Sequence, residues 1–237
     1  IVNSTAGTLQ VLNLQTGASK EFNLGASNNP FDAVVVSADE LYISYYLTGV
    51  IAKLDPSVAE NQDPLVATLT LPDGSQLAPY DSGNPGYSRP YGMAKIGSQL
   101  FVALNNIDAS YSPAGPGFVA VIDLGSFTQA GLIQGSGENM GNVFYYPDHN
   151  SDYVYLVNIG DYWQDLGVID VYSLQSDSIV ASWNVGGAPS AFIIDSAGKG
   201  YVKDDLNIKL KRINSVSLNF SGFDVEYNIP AGSLGGM

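Results

Sequence analysis

The feature that most constrains this chain is a recurrence. A short apolar stretch ending in an aliphatic residue and then Asp or Asn appears as Val11-Leu12-Asn13, Lys53-Leu54-Asp55, Val121-Ile122-Asp123, Val168-Ile169-Asp170 and Arg212-Ile213-Asn214. Successive marks lie 42, 68, 47 and 44 residues apart, and the one long interval contains the insertion at 72–89. A fixed period of this size marks a supersecondary unit that cannot bury its apolar face alone and must stack on its neighbours.

Each mark is preceded by a stiff aromatic and β-branched run: Leu41 to Tyr45, Leu100 to Leu104, Tyr153 to Asn158 and Gly200 to Val202. Such continuous runs suit strands covered on both faces. After each mark comes a turn and then an alternating strand, such as Val66 to Leu71 or Ile179 to Val185, the pattern of a strand with one wet face. A turn residue (Pro30, Pro90, Asn139, Pro189) then opens a further apolar strand. Four strands per unit of about 45 residues, with no helical period, describe a β-propeller blade. A two-sheet sandwich would not require self-similar repeats. The expected fold is all-β, a single β-propeller domain of four-stranded blades over 1–237, with repeats near 1–29, 30–88, 89–138, 139–187 and 188–232. Gly7 matches Gly49, so the first unit lacks its inner strand. Gly236-Met237 matches Gly92-Met93, so 233–237 starts another. The chain is then a five-bladed ring or a segment of a larger, seven-bladed one.

These units resemble the YVTN family of β-propellers. Tyr153-Val154-Tyr155-Leu156-Val157-Asn158 followed by Gly167-Val168-Ile169-Asp170 carries the likeness best, supported by Pro147-Asp148 and by Pro90-Tyr91-Gly92-Met93. The resemblance implies the fold and is almost silent on activity. The Trp-Asp dipeptide and the Gly-Gly pair of two other propeller classes are missing from the expected positions.

Composition narrows the partners. Nine basic residues against 23 acidic ones give a net charge of −14, which disfavours nucleic acid and anionic membrane surfaces because neither phosphate class would be neutralised. Five of the nine, Lys199, Lys203, Lys209, Lys211 and Arg212, fall within fourteen positions and read as a solvated strand face. The absence of cysteine removes disulfides, thiolate metal sites and cysteine nucleophiles. No run approaches the roughly eighteen apolar residues that a membrane helix needs. The Tyr-, Ser-, Asn- and Gly-rich composition points to an exported protein, whether extracellular, cell-surface or periplasmic. Asn3-Ser4-Thr5 and Asn219-Phe220-Ser221 are glycosylation sequons.

Three insertions (72–89, 105–117 and 160–166) fall on one face of consecutive blades, and long loops on a rigid scaffold are where binding tends to reside. They assemble the candidate binding residues Tyr80, Tyr87, Tyr91, Tyr111, Tyr162, Trp163, Asp108 and Asp161, with Asp73, Asp81 and Asp165 nearby. Aromatic faces beside carboxylates suit sugar stacking or contact with a protein partner, and they equally suit packing of the loops onto the blades. The insertion Ala59 to Asp63 belongs to the opposite face. No catalytic constellation is legible: His149, the only histidine, sits in a turn opposite the long loops. A lactonase-like channel site would draw on Asp32, Glu138, Asn139, Asn142 and Asp195 as inner-strand ligands of a divalent cation, and Asp204-Asp205-Leu206-Asn207 offers a looser Ca2+ loop. Two functions follow. The first is an exported, non-enzymatic binding or assembly module contacting a protein or carbohydrate through the long-loop face, without cofactor, and self-assembling through its incomplete terminal blade. The second is a metal-dependent hydrolase or lactonase working in the channel. An exposed aromatic patch over the loops is expected from the first.

Overall fold

The structure is a computed structural model that describes residues 1–72, 88–108 and 110–230. Among these residues the chain forms five antiparallel meanders in sequence order. The first sheet has three strands, β1 (Val2–Asn3), β2 (Thr8–Leu12) and β3 (Ser19–Asn23). The second comprises β4 (Pro30–Val35), β5 (Leu41–Tyr45), β6 (Val50–Leu54) and β7 (Leu65–Thr70). The third runs β8 (Arg89–Ile96), β9 (Gln99–Asn105), β10 (Pro116–Asp123) and β11 (Thr128–Glu138). The fourth is β12 (Met140–Tyr145), β13 (Tyr153–Asn158), β14 (Val168–Ser173) and β15 (Ser178–Asn184). The fifth is β16 (Pro189–Ile194), β17 (Gly200–Asp204), β18 (Lys209–Ile213) and β19 (Val225–Asn228). The expected inner strand at 233–237 lies outside the described residues.

The continuous apolar runs become the middle strands, as their composition requires. Every residue of β5 is buried, and so are six of seven in β9 and five of six in β13. The alternating segments become outer strands: β15 shows strict alternation of exposed and partly covered positions until Trp183. Packing between sheets makes the core. Tyr155, Trp183, Phe192 and Val202 interlock between the fourth and fifth sheets, and Phe101, Val119, Met140 and Leu156 do so between the third and fourth.

Side chains also latch each sheet to the backbone of the next. Ser4 Oγ donates to Pro30 O at 2.6 Å, and Ser44 Oγ to Tyr91 O at 3.0 Å. Asn105 Nδ2 donates to Met140 O at 2.6 Å, and Asn142 Nδ2 to Ser190 O at 2.8 Å. Asp32 accepts Met93 N at 2.8 Å. The target in each case lies in the irregularly paired opening stretch of the following inner strand, which leaves backbone groups to satisfy. Two glycines make room for this approach. A Cβ on Gly117 would lie 2.6 Å from Met140 N, and one on Gly167 would lie 2.2 Å from Pro189 Cδ. These glycines let the next inner strand cross against the third strand.

One repeat mark is displaced. Asp123 closes β10 opposite Gln99, and its counterpart in the fourth sheet is Ser173, which closes β14 opposite Tyr153. Asp170 pairs with Leu156 instead, in mid-sheet, and is fully buried. Its carboxylate is held by Ser136 N at 2.8 Å, Asn158 Nδ2 at 2.9 Å, Ser182 Oγ at 2.6 Å and the Ser136 hydroxyl. The match at Val168-Ile169-Asp170 was therefore out of register by three residues. Asp170→Ala is expected to strand these buried donors and to cost about 2–4 kcal/mol, read as a lowered urea midpoint at unchanged slope.

Candidate functional site

The inner strands all start at one end of the sheets, where the second strands finish. Pro30, Pro90, Met140 and Pro189 oppose Tyr45, Leu104, Asn158 and Asp204 in register. The residues just beyond these pairs therefore meet at a common end. Tyr46 and Asp205 each follow a second strand, while Arg89 and Asn139 each precede the inner-strand position held by proline or Met140.

An aromatic cluster occupies this end. The Tyr91 ring lies 3.8 Å from that of Phe31, and Tyr46 meets Tyr91 edge to face at 6.0 Å. The Arg89 guanidinium, buried to 4% exposure, sits 5.4 Å from the Tyr46 ring and 4.7 Å from the Tyr111 ring. Its nitrogens also reach Tyr46 OH at 3.4 Å and Asp108 O at 3.5 Å. A buried guanidinium between two phenol rings is stabilised by their negative faces, an interaction that strengthens as water is excluded. Tyr111 adopts φ 65, a left-handed conformation in the 105–117 loop, and its Asp108 carboxylate holds the turn by accepting Ser110 N at 2.7 Å and Ser112 N at 3.0 Å.

The 160–166 loop brings Tyr162 into the same region. Its hydroxyl faces the side chains of Asn139 and Tyr91 and lies within electrostatic range of Tyr46 and Asp205. The ring remains 40% exposed while the hydroxyl is turned inward. Asn139 donates to Gly160 O at 3.1 Å, and its Oδ1 has no hydrogen-bond partner. Asp205 is paired with Lys203 at 3.0 Å. Trp163 next door is 87% exposed and joins none of these ring contacts. Asp161 sets its position, accepting Trp163 N and Gln164 Nε2 at 2.9 Å each.

Of the eight residues expected from the sequence, Tyr91, Tyr111 and Tyr162 meet around Arg89 and Asn139. Trp163 stands on the same face, and Asp108 and Asp161 serve as turn caps. Tyr80 and Tyr87, with Asp73 and Asp81, lie outside the described residues. Arg89, Tyr46, Phe31 and Asp205 were missed; their shared place at the ends of inner and second strands was the available signal.

The channel candidates do not form the arrangement a divalent cation would need. Glu138 ends the outer strand β11, and Asp195 lies just past β16, capping its turn through Ala197 N and Lys199 N at 2.9 Å each. Only Asp32 and Asn142 belong to inner strands, and both are engaged in the inter-sheet latches. Asp204 is likewise occupied, by Lys211 Nζ at 2.7 Å, Ala188 N at 3.1 Å and Asn207 Nδ2 at 2.9 Å. Among the described residues no group of three His, Cys, Asp or Glu side chains converges. His149 lies in the turn between β12 and β13, beside Asp195 and Ser196 of the fifth sheet.

Burial pushes the phenols of this end upward. Tyr91 and Tyr162 are raised by burial first and by neighbouring Tyr and Asp205 groups second. Tyr45, at the end of β5, is pushed up to about 12 by burial and Asp63; at the opposite end of the sheets, just past β12, burial pushes Tyr146 to about 12 as well. An unfolded phenol ionises near 10, so these groups contribute stability fully below about pH 10 and lose it as pH rises toward 12. The urea midpoint is expected to fall across that window, together with late phenolate absorbance.

No protein-family model matches the chain, and no curated sequence matches it. Solved structures do. A chain of the mitotic checkpoint complex matches with a TM-score of 0.65 at 15% identity over 97% of this chain and 60% of that one. Virginiamycin B lyase from Staphylococcus aureus matches with 0.63 at 13% identity over 97% and 65%. A protein of unknown function from Desulfotomaculum acetoxidans matches with 0.66 at 8% identity over 97% and 65%. The chain thus spans 60–65% of the length of these three structures. At such identities the likeness establishes fold alone: this chain has a propeller-like, all-β architecture.

Proposed function

We propose that this chain is a non-enzymatic β-propeller binding module of the YVTN type, exported, which contacts a protein or glycan through the face carrying Tyr111, Tyr162 and Trp163. The observation that carries this reading is the exposure of Trp163, 87%, beside Tyr111 at 56% on the same loop-bearing end. An indole held clear of the core by an Asp-capped turn contributes little to folding, whereas aromatic anchors dominate recognition surfaces. The ring cluster behind it, built on Arg89 and Tyr91, makes a stiff floor, so little ordering remains to be done on contact. Asp108, Asp161 and Asp165 give that surface a negative rim.

The two tryptophans make the reading testable, because Trp183 is buried at 2% and only Trp163 is accessible to a quencher. Soluble neutral polysaccharides, acidic polysaccharides and basic peptides are titrated in turn while acrylamide quenching is recorded. A ligand of this face is expected to protect Trp163 and to lose at least about tenfold in affinity on Trp163→Ala, with stability changed by no more than about 0.5 kcal/mol. Loss of folding in Trp163→Ala, or ligand binding that ignores it, overturns the assignment.

A further inference from the structure

Two corresponding grooves run between consecutive sheets on the side of their outer strands, and only one of them is filled. The first lies between the third and fourth sheets, has a volume of about 620 Å³, and is walled by Phe101, Val121, Ile133, Tyr172 and Ile179. The second lies between the fourth and fifth sheets, is reduced to about 340 Å³, and is walled by Tyr155, Val171 and Trp183 with Val216 and Leu218. Strand register shows that the walls correspond. Phe101 opposes Val121 as Tyr155 opposes Val171, and Ile133 opposes Val119 as Trp183 opposes Ile169.

The filling of the second groove comes from the chain itself. The long connection between β18 and β19 lays Val216, Leu218, Phe220 and Phe223 along it. Phe220 stacks on Trp183 at 5.9 Å and 23°, Phe223 meets Phe220 edge to face at 5.4 Å, and Trp183 Nε1 donates to Leu218 O at 3.4 Å. At the first groove the equivalent connection is the short turn between Ser173 and Ser178, which cannot reach across. Ile133 is also far smaller than Trp183. A trough therefore stays open, with the half-buried Ile133, Leu174 and Ile179 along it and Leu132, on the flanking outer strand, 39% exposed.

Charge indicates what covers it. Among the described residues no Lys or Arg lines the groove, and Asp177 stands at its edge. The whole chain carries −14. We propose that the groove between the third and fourth sheets is a docking site for a partner-protein segment of alternating apolar and aromatic residues flanked by Lys or Arg. It would lie as Val216 to Phe223 lies in the neighbouring groove. Burial of one Phe and two aliphatic side chains supplies the affinity, and Asp177 together with the net negative charge of the chain favours the basic flanks. This surface is separate from the loop face, so the two readings stand or fall independently.

The probe is a synthetic peptide with the sequence of residues 215–221 between pairs of lysines, titrated calorimetrically into the full chain. Gly131→Leu blocks the groove, since a Cβ there meets only Val121 side-chain atoms at 3.8 Å or beyond. Ile133→Trp recreates the filled state. The peptide is expected to bind saturably, and to lose at least about tenfold in affinity in either variant or when its Phe is replaced by Ser. Trp163→Ala should leave it unaffected. Absence of saturable binding overturns the proposal, as does equal affinity for the Ser peptide or for a peptide without lysines. Undiminished binding to a Gly131→Leu chain with native near-ultraviolet dichroism overturns it too. If the wild type dimerises and Gly131→Leu abolishes dimerisation, the occupant is a second copy and the partner assignment falls.

Discussion

Coverage of each sheet by the next is the interaction on which the rest of this structure depends. The middle strands β5, β9 and β13 are buried on both faces, which one isolated sheet cannot provide. Every sheet therefore needs a neighbour, and the neighbour must approach closely. Gly117 and Gly167 permit that approach, and the Ser and Asn latches reward it by satisfying irregular backbone at the head of each inner strand. Packing between the fourth and fifth sheets goes furthest, with Trp183 in contact with Tyr155, Phe192 and Phe220. Aromatic pairs of this kind add about 0.5–1.5 kcal/mol each beyond their burial.

A strongly acidic chain must also decide where to place carboxylates that its sheets enclose. Three solutions are seen. Asp170 is surrounded by hydroxyl and amide donors, Asp204 is neutralised by Lys211, and Asp32 receives the amides of Met93 and Ala33. Burial still holds the Asp32 carboxyl above the usual carboxylate range. In each case a one-residue slip of register would remove the partners and leave a charge or a donor unpaired in low dielectric, so these groups oppose slippage more strongly than apolar contacts do.

The candidate site was half legible in the sequence. Trp163, Tyr162 and Tyr111 could be found because they sit in insertions, and an insertion shows itself as a break in the repeat. Arg89, Tyr46 and Asp205 could not be found that way, since they occupy ordinary positions at strand ends. They matter only because the ends of several sheets are gathered in one place. Asp108 and Asp161 looked like ligand groups, yet an Asp two residues ahead of a turn amide is a turn cap wherever the backbone bends to meet it. Of the carboxylates read as channel ligands, Glu138 belongs to the outer strand β11, which runs to that residue, and Asp195 lies one residue past β16.

What the sequence determined by itself was the strand period, the fourfold unit and its repetition, because alternation and turn chemistry are local properties of the chain. It also identified which strands are covered on both faces. Tertiary structure alone decided that Ser173, rather than Asp170, closes the third strand of the fourth sheet, because register follows cross-strand pairing and not the similarity of a tripeptide. It alone placed the Tyr162 hydroxyl beside the side chains of Asn139 and Tyr91. It also left one inter-sheet groove open and its counterpart filled, since that depends on whether a connection is long enough to span the gap between two sheets.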